Sequence, residues 1–156
     1  MEFTASSIMR SKLVTCDETE SLTNVAKKMY DDNVGSVLIK QKGEITGIII
    51  DRDILKAIVD GKDFPSTPAG EIMSAPLDCC DADDSIEKCK KLFDETTHSR
   101  LVVKKDKKVV GVLLRKFVER FLSISKRISL ADVAKTPRYR TGRGETPYQM
   151  LPPVSL

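Results

Sequence analysis

An internal repeat is the feature that most constrains how this chain can fold. The segment ASSIMRSKLVTCD aligns without a gap with AGEIMSAPLDCCD, at an offset of 64 residues that places Met9 on Met73. The same offset places Gly47 of TGIII on Gly111 of VGVLL, so the register persists through the whole unit. Two copies of one unit therefore fill residues 4 to about 124.

The hydrophobic pattern of each copy predicts the order strand, helix, strand, strand, helix. Residues 22–29 carry apolar side chains at the spacing of a helix with one buried face, and residues 86–93 repeat that spacing. Two short apolar runs separated by a polar turn follow in both copies, which is typical of a β-hairpin. A last helix, DILKAIV or FVERFL, ends each copy. The sequence therefore predicts an α+β fold of two β-α-β-β-α units.

The pair of units, rather than the single copy, is the expected folding unit. One unit of about 60 residues buries little apolar surface, whereas two packed together approach the size of a normal domain. Pro and Gly residues mark a linker between the copies. We therefore divide the chain into a first repeat (4–62), a linker (63–70), a second repeat (71–124) and a C-terminal helix with a basic tail (125–156).

Composition and charge argue against several classes of protein. Lys plus Arg number 26 and Asp plus Glu 23, and this net charge of +3 gives no general surface for polyanions. No apolar run approaches the ~20 residues of a membrane span, and the first residues lack a secretory signal, so we expect a cytoplasmic protein without membrane contact. The four cysteines include no C-x-x-C pair, and Cys79 and Cys80 would point to opposite faces of a strand. We therefore expect reduced thiols and no metal site.

The stretch GIIIDRDIL, at the junction of a strand and a helix, resembles the G-h-h-S/T-x-x-D turn of the CBS domain family, where h is a hydrophobic residue. The paired IM openings and the hairpin strands NVGSVLIK and HSRLVV resemble the same family. The resemblance implies a tandem CBS pair, or Bateman module, with pseudo-two-fold symmetry, in a disc-like homodimer formed through the CBS helices. It also implies no obligatory cofactor and a ligand bound between the copies: AMP, ADP or ATP, with S-adenosylmethionine as an alternative.

Asp53 is the candidate ribose ligand. An ionised carboxylate can accept hydrogen bonds from both hydroxyls of a ribose, and backbone N–H groups at the start of a helix can bind phosphate. By family position Asp53 binds the ribose in the first cleft, whereas Asp51, also a candidate contact in that cleft, is expected to cap the helix. Ile50 stands where the family has Ser or Thr, which removes one polar contact.

The remaining candidate contacts follow from family positions. The resemblance assigns the ligand's phosphates to His98, Ser99 and Arg100. Arg100 lies one position away from the place of the family's arginine. His98 is the only histidine, and its protonation would strengthen phosphate binding in mild acid. An adenine pocket needs apolar walls, for which the candidates are Val34, Ile48, Leu77 and Cys79.

The second copy lacks both polar groups of the turn. Its sequence GVLLRKF has Leu114 at the hydroxyl position and Phe117 at the acid position. We therefore predict that the cleft served by the second copy does not bind nucleotide through the usual contacts, and that Phe117 fills it. Thr15 and Gly35 are expected to line this cleft.

Three functions remain open from the sequence. The first is an adenine-nucleotide sensor whose change of conformation is recognised by an unidentified effector protein. The second is a nucleic-acid-associated protein that uses the tail around Arg138, Arg140 and Arg143. The third is a dimerisation module without a ligand. We expect no enzyme, because no pairing of nucleophile and base is indicated, although a Cys79–His98 arrangement stays open.

Overall fold

The computed structural model describes residues 2–127. The first half contains α1 (Ala5–Ile8), β1 (Thr15–Asp17), α2 (Leu22–Asp31), β2 (Ser36–Gln41), β3 (Glu44–Ile50) and α3 (Asp51–Val59). The second half contains α4 (Ala69–Ile72), β4 (Cys79–Asp81), α5 (Ile86–Asp94), β5 (Arg100–Lys105), β6 (Lys108–Leu114) and α6 (Arg115–Arg127). The predicted α+β fold of two β-α-β-β-α units is confirmed, and a short helix, α1 or α4, precedes each unit.

Each unit forms its own three-stranded sheet. β2 lies in the middle of the first sheet, parallel to β1 and antiparallel to β3, and β5 has the same place in the second sheet. Ser36 pairs with Ile50, so the start of the central strand lies beside the end of β3. This register places the first residue of α3 against its own repeat, where the Asp51 N–H donates to Gly35 O at 3.0 Å.

Serines at equivalent positions begin the long helix of each unit. Ser21 Oγ accepts a hydrogen bond from the Asn24 N–H at 3.3 Å, and Ser85 Oγ accepts one from the Lys88 N–H at 3.2 Å. A serine N-cap satisfies one of the N–H groups that the first turn leaves without an intrahelical partner. The repeat therefore preserves the start of this helix as well as its apolar face.

The short helix that precedes each unit packs on the other unit. Ala5 is fully buried in the core of the second repeat, and Ala69 is fully buried in the core of the first. Arg10 and Val112 exchange two backbone hydrogen bonds of 2.9 Å, which tie the first opening to β6. The two repeats are therefore interlocked through their first residues.

Glycine permits this close approach. A Cβ atom at Gly111 would lie 2.5 Å from Met9 Sδ and 2.8 Å from Arg10 O, so no larger residue fits without a backbone shift. At the equivalent Gly47, a Cβ atom would lie 3.0 Å from Met73 Cγ. The methionines and glycines that align in the repeat are thus contact partners across the two copies.

A third apolar cluster joins the two sheets. Leu38 and Val102 from the central strands meet Val112 and Leu114 from β6, and each is at most 7% exposed. These residues also line the two clefts described below.

The arginine-rich tail predicted as a nucleic-acid contact lies outside the described residues. Within residues 2–127, no helix is long and apolar enough to cross a bilayer.

Candidate functional site

Two cavities lie between the repeats, and the 64-residue offset relates one to the other. The first cleft contains Asp53 and has a volume of about 450 Å³, and the second cleft contains Gly35 and has a volume of about 720 Å³. The first cleft is lined by Ile48, Ile50, Arg52, Asp53, Ser74, Pro76, Leu77, Asp78, Thr97, His98, Ser99, Arg100 and Val102. The offset transfers each of these residues except Asp53 to a residue that lines the second cleft. The two clefts are therefore pseudo-two-fold equivalents.

The first cleft brings together most of the predicted ligand contacts. They come from the end of β3 and the start of α3 in one repeat, and from the segment before β4 and the residues around the start of β5 in the other. These residues are Ile48, Ile50, Asp53, Leu77, His98, Ser99 and Arg100. Their role in binding stays a prediction, but their convergence requires both repeats.

The placement of Val34 and Asp51 in this cleft is wrong. Both residues line the second cleft instead. Val34 and His98 are equivalent under the 64-residue offset, so they occupy the same position in different clefts. His98 lines the first cleft and Val34 lines the second. Asp51 is held against Gly35 of its own repeat by its backbone hydrogen bond, so its side chain lies in the second cleft as well.

The placement of Cys79 in the first cleft is also wrong. Cys79 begins β4 beyond the edge of the cleft, and its Sγ donates to Leu77 O at 3.6 Å. His98 Nδ1 contacts Asp78 Oδ2 instead. The structure therefore gives Cys79 and His98 different hydrogen-bond partners.

Phe117 does not fill the second cleft, contrary to the prediction. This cleft is the larger of the two, and Phe117 is not among its lining residues. The Phe117 ring packs with the apolar cluster that joins the sheets, and the guanidinium carbon of Arg10 lies 5.4 Å from its centroid. Gly35 lines the second cleft as expected, whereas Thr15 does not.

Asp53, rather than Asp51, binds the N-cap backbone of α3. Asp53 Oδ2 accepts a hydrogen bond of 2.8 Å from the Ile50 N–H, as the third helical residue does in a capping box. Asp51 Oδ1 accepts a hydrogen bond of 2.9 Å from the neighbouring Arg52 N–H. Among the described residues, none donates a hydrogen bond to Asp53 Oδ1. One oxygen of Asp53 therefore holds the carboxylate in place while the other remains available in the cleft.

His98 is held by a network that the sequence did not reveal. Asp78 Oδ2 contacts His98 Nδ1 and accepts a hydrogen bond of 3.0 Å from Thr96 Oγ1. The hydrogen bond with His98 lowers the pKa of Asp78, and that with Thr96 lowers it further, against the opposing effect of partial burial. Asp78 therefore stays ionised and orients the imidazole at the wall of the first cleft.

Sequence reasoning missed several lining residues of the first cleft. These are Arg52, Ser74, Pro76, Asp78, Thr97 and Val102. Ser74 and Pro76 follow the repeated IM opening directly, so the alignment of the two openings could have indicated them. Asp78 aligns with the apolar Val14 of the other repeat. This replacement of an apolar residue by an acid was the feature of the sequence that could have indicated Asp78.

Arg100 lies in the lining of both clefts. Its side chain is only 12% exposed, and its guanidinium lies 3.5 Å from Asp51 Oδ1 and 3.3 Å from Ser99 Oγ. A Cβ atom at Gly35 would lie 2.8 Å from Arg100 Nη2, so glycine leaves space for the guanidinium. Arg100 can therefore present positive charge to either cavity.

The model of the CBS domain family matches two segments, residues 5–60 and residues 69–116, which together exceed half of the chain.

Two curated relatives and one solved structure illustrate the similarity. Protein MK0525 of Methanopyrus kandleri is 31% identical over 109 residues, which is 68% of this chain and 56% of that protein, so this chain spans just over half of its length. Hypoxic response protein 1 of Mycobacterium tuberculosis is 28% identical over 121 residues, covering 76% of this chain and 85% of that protein. The CBS domain pair of protein MJ0100, solved in complex with 5-methylthioadenosine and S-adenosyl-L-methionine, has 21% identity and a TM-score of 0.69 over 80% of this chain and 99% of that chain. At 21% identity, the similarity to the MJ0100 domain pair shows a shared fold.

Proposed function

The chain belongs to the CBS domain family, and on that basis we propose that it is a non-catalytic, cytoplasmic regulatory module that binds an adenosine-containing ligand in the first cleft. Ligand binding changes the relative orientation of the two repeats, and an effector protein recognises this change. The module acts as a homodimer formed through its helices.

The observation that carries this proposal is the position of Asp53. One carboxylate oxygen is fixed by the Ile50 N–H, and the other has no donor among residues 2–127. A carboxylate held in this way is preorganised to accept hydrogen bonds from the two hydroxyls of a ribose, and such charge-assisted bonds are strong.

The rest of the first cleft suits the other parts of an adenosine ligand. Ile48, Leu77 and Val102 offer apolar walls to the faces of an adenine ring. Arg52 and Arg100 offer positive charge to phosphates. These two cations favour AMP, ADP or ATP over an uncharged nucleoside.

S-Adenosylmethionine remains a candidate ligand. The MJ0100 domain pair was solved with this compound and with 5-methylthioadenosine, both of which contain adenosine. In the present chain Ile50 replaces the hydroxyl residue of the family turn. The missing hydroxyl predicts weaker binding of every adenosine ligand, without a preference among them.

Calorimetric titration with AMP, ADP, ATP and S-adenosylmethionine tests the proposal. We expect Asp53→Asn to weaken the tightest ligand by about tenfold or more, because the neutral amide loses the charge-assisted bonds but retains an oxygen for the Ile50 N–H. Asp51→Asn is the matched control, since Asp51 lies in the same helical turn but lines the second cleft.

The 2′-deoxy form of the same nucleotide makes the test specific for the diol. The wild type should bind the deoxynucleotide more weakly, whereas Asp53→Asn should bind both forms alike. The absence of binding by all four ligands, or an equal effect of Asp51→Asn and Asp53→Asn, would contradict the proposal.

A further inference from the structure

The second cleft differs from the first mainly in charge. Four cationic side chains line it, those of Arg10, Lys12, Arg100 and Lys116, against the single acid Asp51. The residues equivalent to Arg10 and Lys12 in the first cleft are the uncharged Ser74 and Pro76. The divergence of the repeats has therefore made one of two equivalent cavities strongly basic.

Phe117 organises two of these cations. It occupies the position of Asp53 in the repeat, and its ring lies 5.4 Å from the guanidinium carbon of Arg10 and 5.8 Å from Lys116 Nζ. A cation near the face of an aromatic ring is attracted without being neutralised. In the described part of the chain, no carboxylate lies within ion-pair distance of Arg10 or Lys116. Two cations without counter-charges are thus held at one ring.

The other two cations already have acidic partners. Lys12 Nζ lies 3.3 Å from Asp32 Oδ1, and Arg100 Nη2 lies 3.5 Å from Asp51 Oδ1. Both pairs are long or exposed, so they contribute little and can be exchanged for a stronger anion. Arg10 and Lys116 are therefore the primary binding groups, and Lys12 and Arg100 can add to them.

We propose that the second cleft is a binding site for a multiply charged phosphate anion, recognised without a ribose diol. The acceptor for ribose hydroxyls is replaced by a ring that carries cations, so the cleft loses the means to bind a diol and gains the means to bind phosphate. Phosphate groups of this kind occur in inorganic polyphosphate and in the triphosphate of a nucleotide. The inference concerns a different cavity from the adenosine site and does not depend on it.

Calorimetric titration of the full chain with inorganic tripolyphosphate at constant ionic strength tests this site. We expect saturable binding that weakens by about tenfold or more in Arg10→Gln/Lys116→Gln, because both primary cations are lost. Arg10→Lys/Lys116→Arg retains the charges and should retain most of the binding. Lys27→Gln/Lys91→Gln is the matched control, because these two exposed lysines are repeat equivalents that line neither cleft, and it should leave tripolyphosphate binding unchanged.

Competition identifies the source of the phosphate groups. Displacement of tripolyphosphate by ATP and 2′-deoxy-ATP with equal potency would support the site and assign it to nucleotide triphosphates. A lack of displacement by either would support the site for an inorganic anion. Absence of tripolyphosphate binding, or binding that Arg10→Gln/Lys116→Gln leaves intact, would overturn the proposal, whatever the result of the adenosine titrations.

Discussion

At the residue scale, the contrast between the clefts centres on position 53 and its repeat equivalent, position 117. Asp53 is an acid with one fixed and one available oxygen. Phe117 is a ring that attracts Arg10 and Lys116. A carboxylate selects hydroxyl and N–H donors, whereas a ring that carries cations selects anions. The exchange at this position, together with Arg10 and Lys12 in place of Ser74 and Pro76, is what our proposals use to direct two equivalent cavities toward different ligands.

Asp78 gives a prediction about acid stability. Hydrogen bonding to His98 and Thr96 lowers the pKa of Asp78 below its ordinary value of 3.8. A carboxyl group whose pKa is lower in the folded chain stabilises that chain above the unfolded pKa, and this contribution is lost as the pH falls through the folded pKa. We therefore expect the free energy of unfolding of the wild type to fall more than that of Asp78→Asn between about pH 6 and about pH 3. The difference should be below about 1 kcal/mol, because the pair is partly exposed.

Urea denaturation at both pH values measures this difference. His98→Gln provides the control, because removal of the imidazole removes the principal cause of the lowered pKa. In the His98→Gln background, Asp78→Asn should change the acid sensitivity much less. Equal acid sensitivity of the wild type and Asp78→Asn would contradict the assigned role of this contact.

At the element scale, the two hairpins share a register but differ in turn chemistry. Both have two-residue turns in which both residues have positive φ: 50° and 82° at Lys42 and Gly43, and 49° and 65° at Asp106 and Lys107. Such turns match the twist of the strands but favour glycine at the second position. Lys107 therefore adopts a backbone conformation that costs roughly 1 kcal/mol for a residue with a Cβ atom.

The substitution Lys107→Gly should stabilise the protein by about 0.5–1 kcal/mol, since relief of the strained φ exceeds the added entropy of the unfolded chain. The reciprocal change Gly43→Lys should destabilise it by a similar amount, because it introduces the same strain in the first hairpin. Equilibrium urea unfolding of both variants measures these effects. A loss of stability in Lys107→Gly would show that the Lys107 side chain makes a compensating contribution.

Element order was predictable from the sequence, whereas the packing of the openings was not. The period of the apolar residues gave the helices and strands, because amphipathic spacing is a local property. The short helices α1 and α4 pack on the opposite repeat, and a local pattern carries no information about the partner of a segment. The repeat aligns Met9 with Met73 and Gly47 with Gly111, but the alignment does not indicate that Met9 contacts Gly111.

At the scale of the whole molecule, the site predictions differ in how far they depend on contacts between distant segments, which a local sequence pattern does not reveal. Residues in the family turn and in the segment before β5 were placed in the first cleft, since the duplicated register fixes them. Val34 is the repeat equivalent of His98, so the offset itself indicates that the two residues belong to different clefts. The position of Asp51 depends on the backbone hydrogen bond to Gly35, which the sequence does not show. Asp78 was missed because its contact with His98 spans twenty residues of chain.

The exposed apolar residues of the helices are also unequally shared between the repeats. On α2 and α3, Tyr30 is 87% exposed, Ile58 60% and Val59 85%. The repeat equivalents of Tyr30 and Leu55 are the exposed acids Asp94 and Glu119. A two-fold dimer uses the same patch on both subunits, and apolar patches favour such contacts. We therefore expect the homodimer that we propose to bring the first repeats of two copies together.

The double substitution Ile58→Glu/Val59→Glu should convert the dimer to a monomer at micromolar concentration, because it places two buried charges on each side of the contact. Neither residue lines a cleft that binds ligand in our proposals, so the titrations with adenosine ligands and tripolyphosphate should stay close to those of the wild type. Glu119→Lys, at the equivalent of Leu55 in the second repeat, should leave the mass unchanged. Sedimentation velocity measures the mass of all three proteins. A monomeric wild type, or a dimer that survives Ile58→Glu/Val59→Glu but dissociates in Glu119→Lys, would show that the helices of the first repeat do not form the contact.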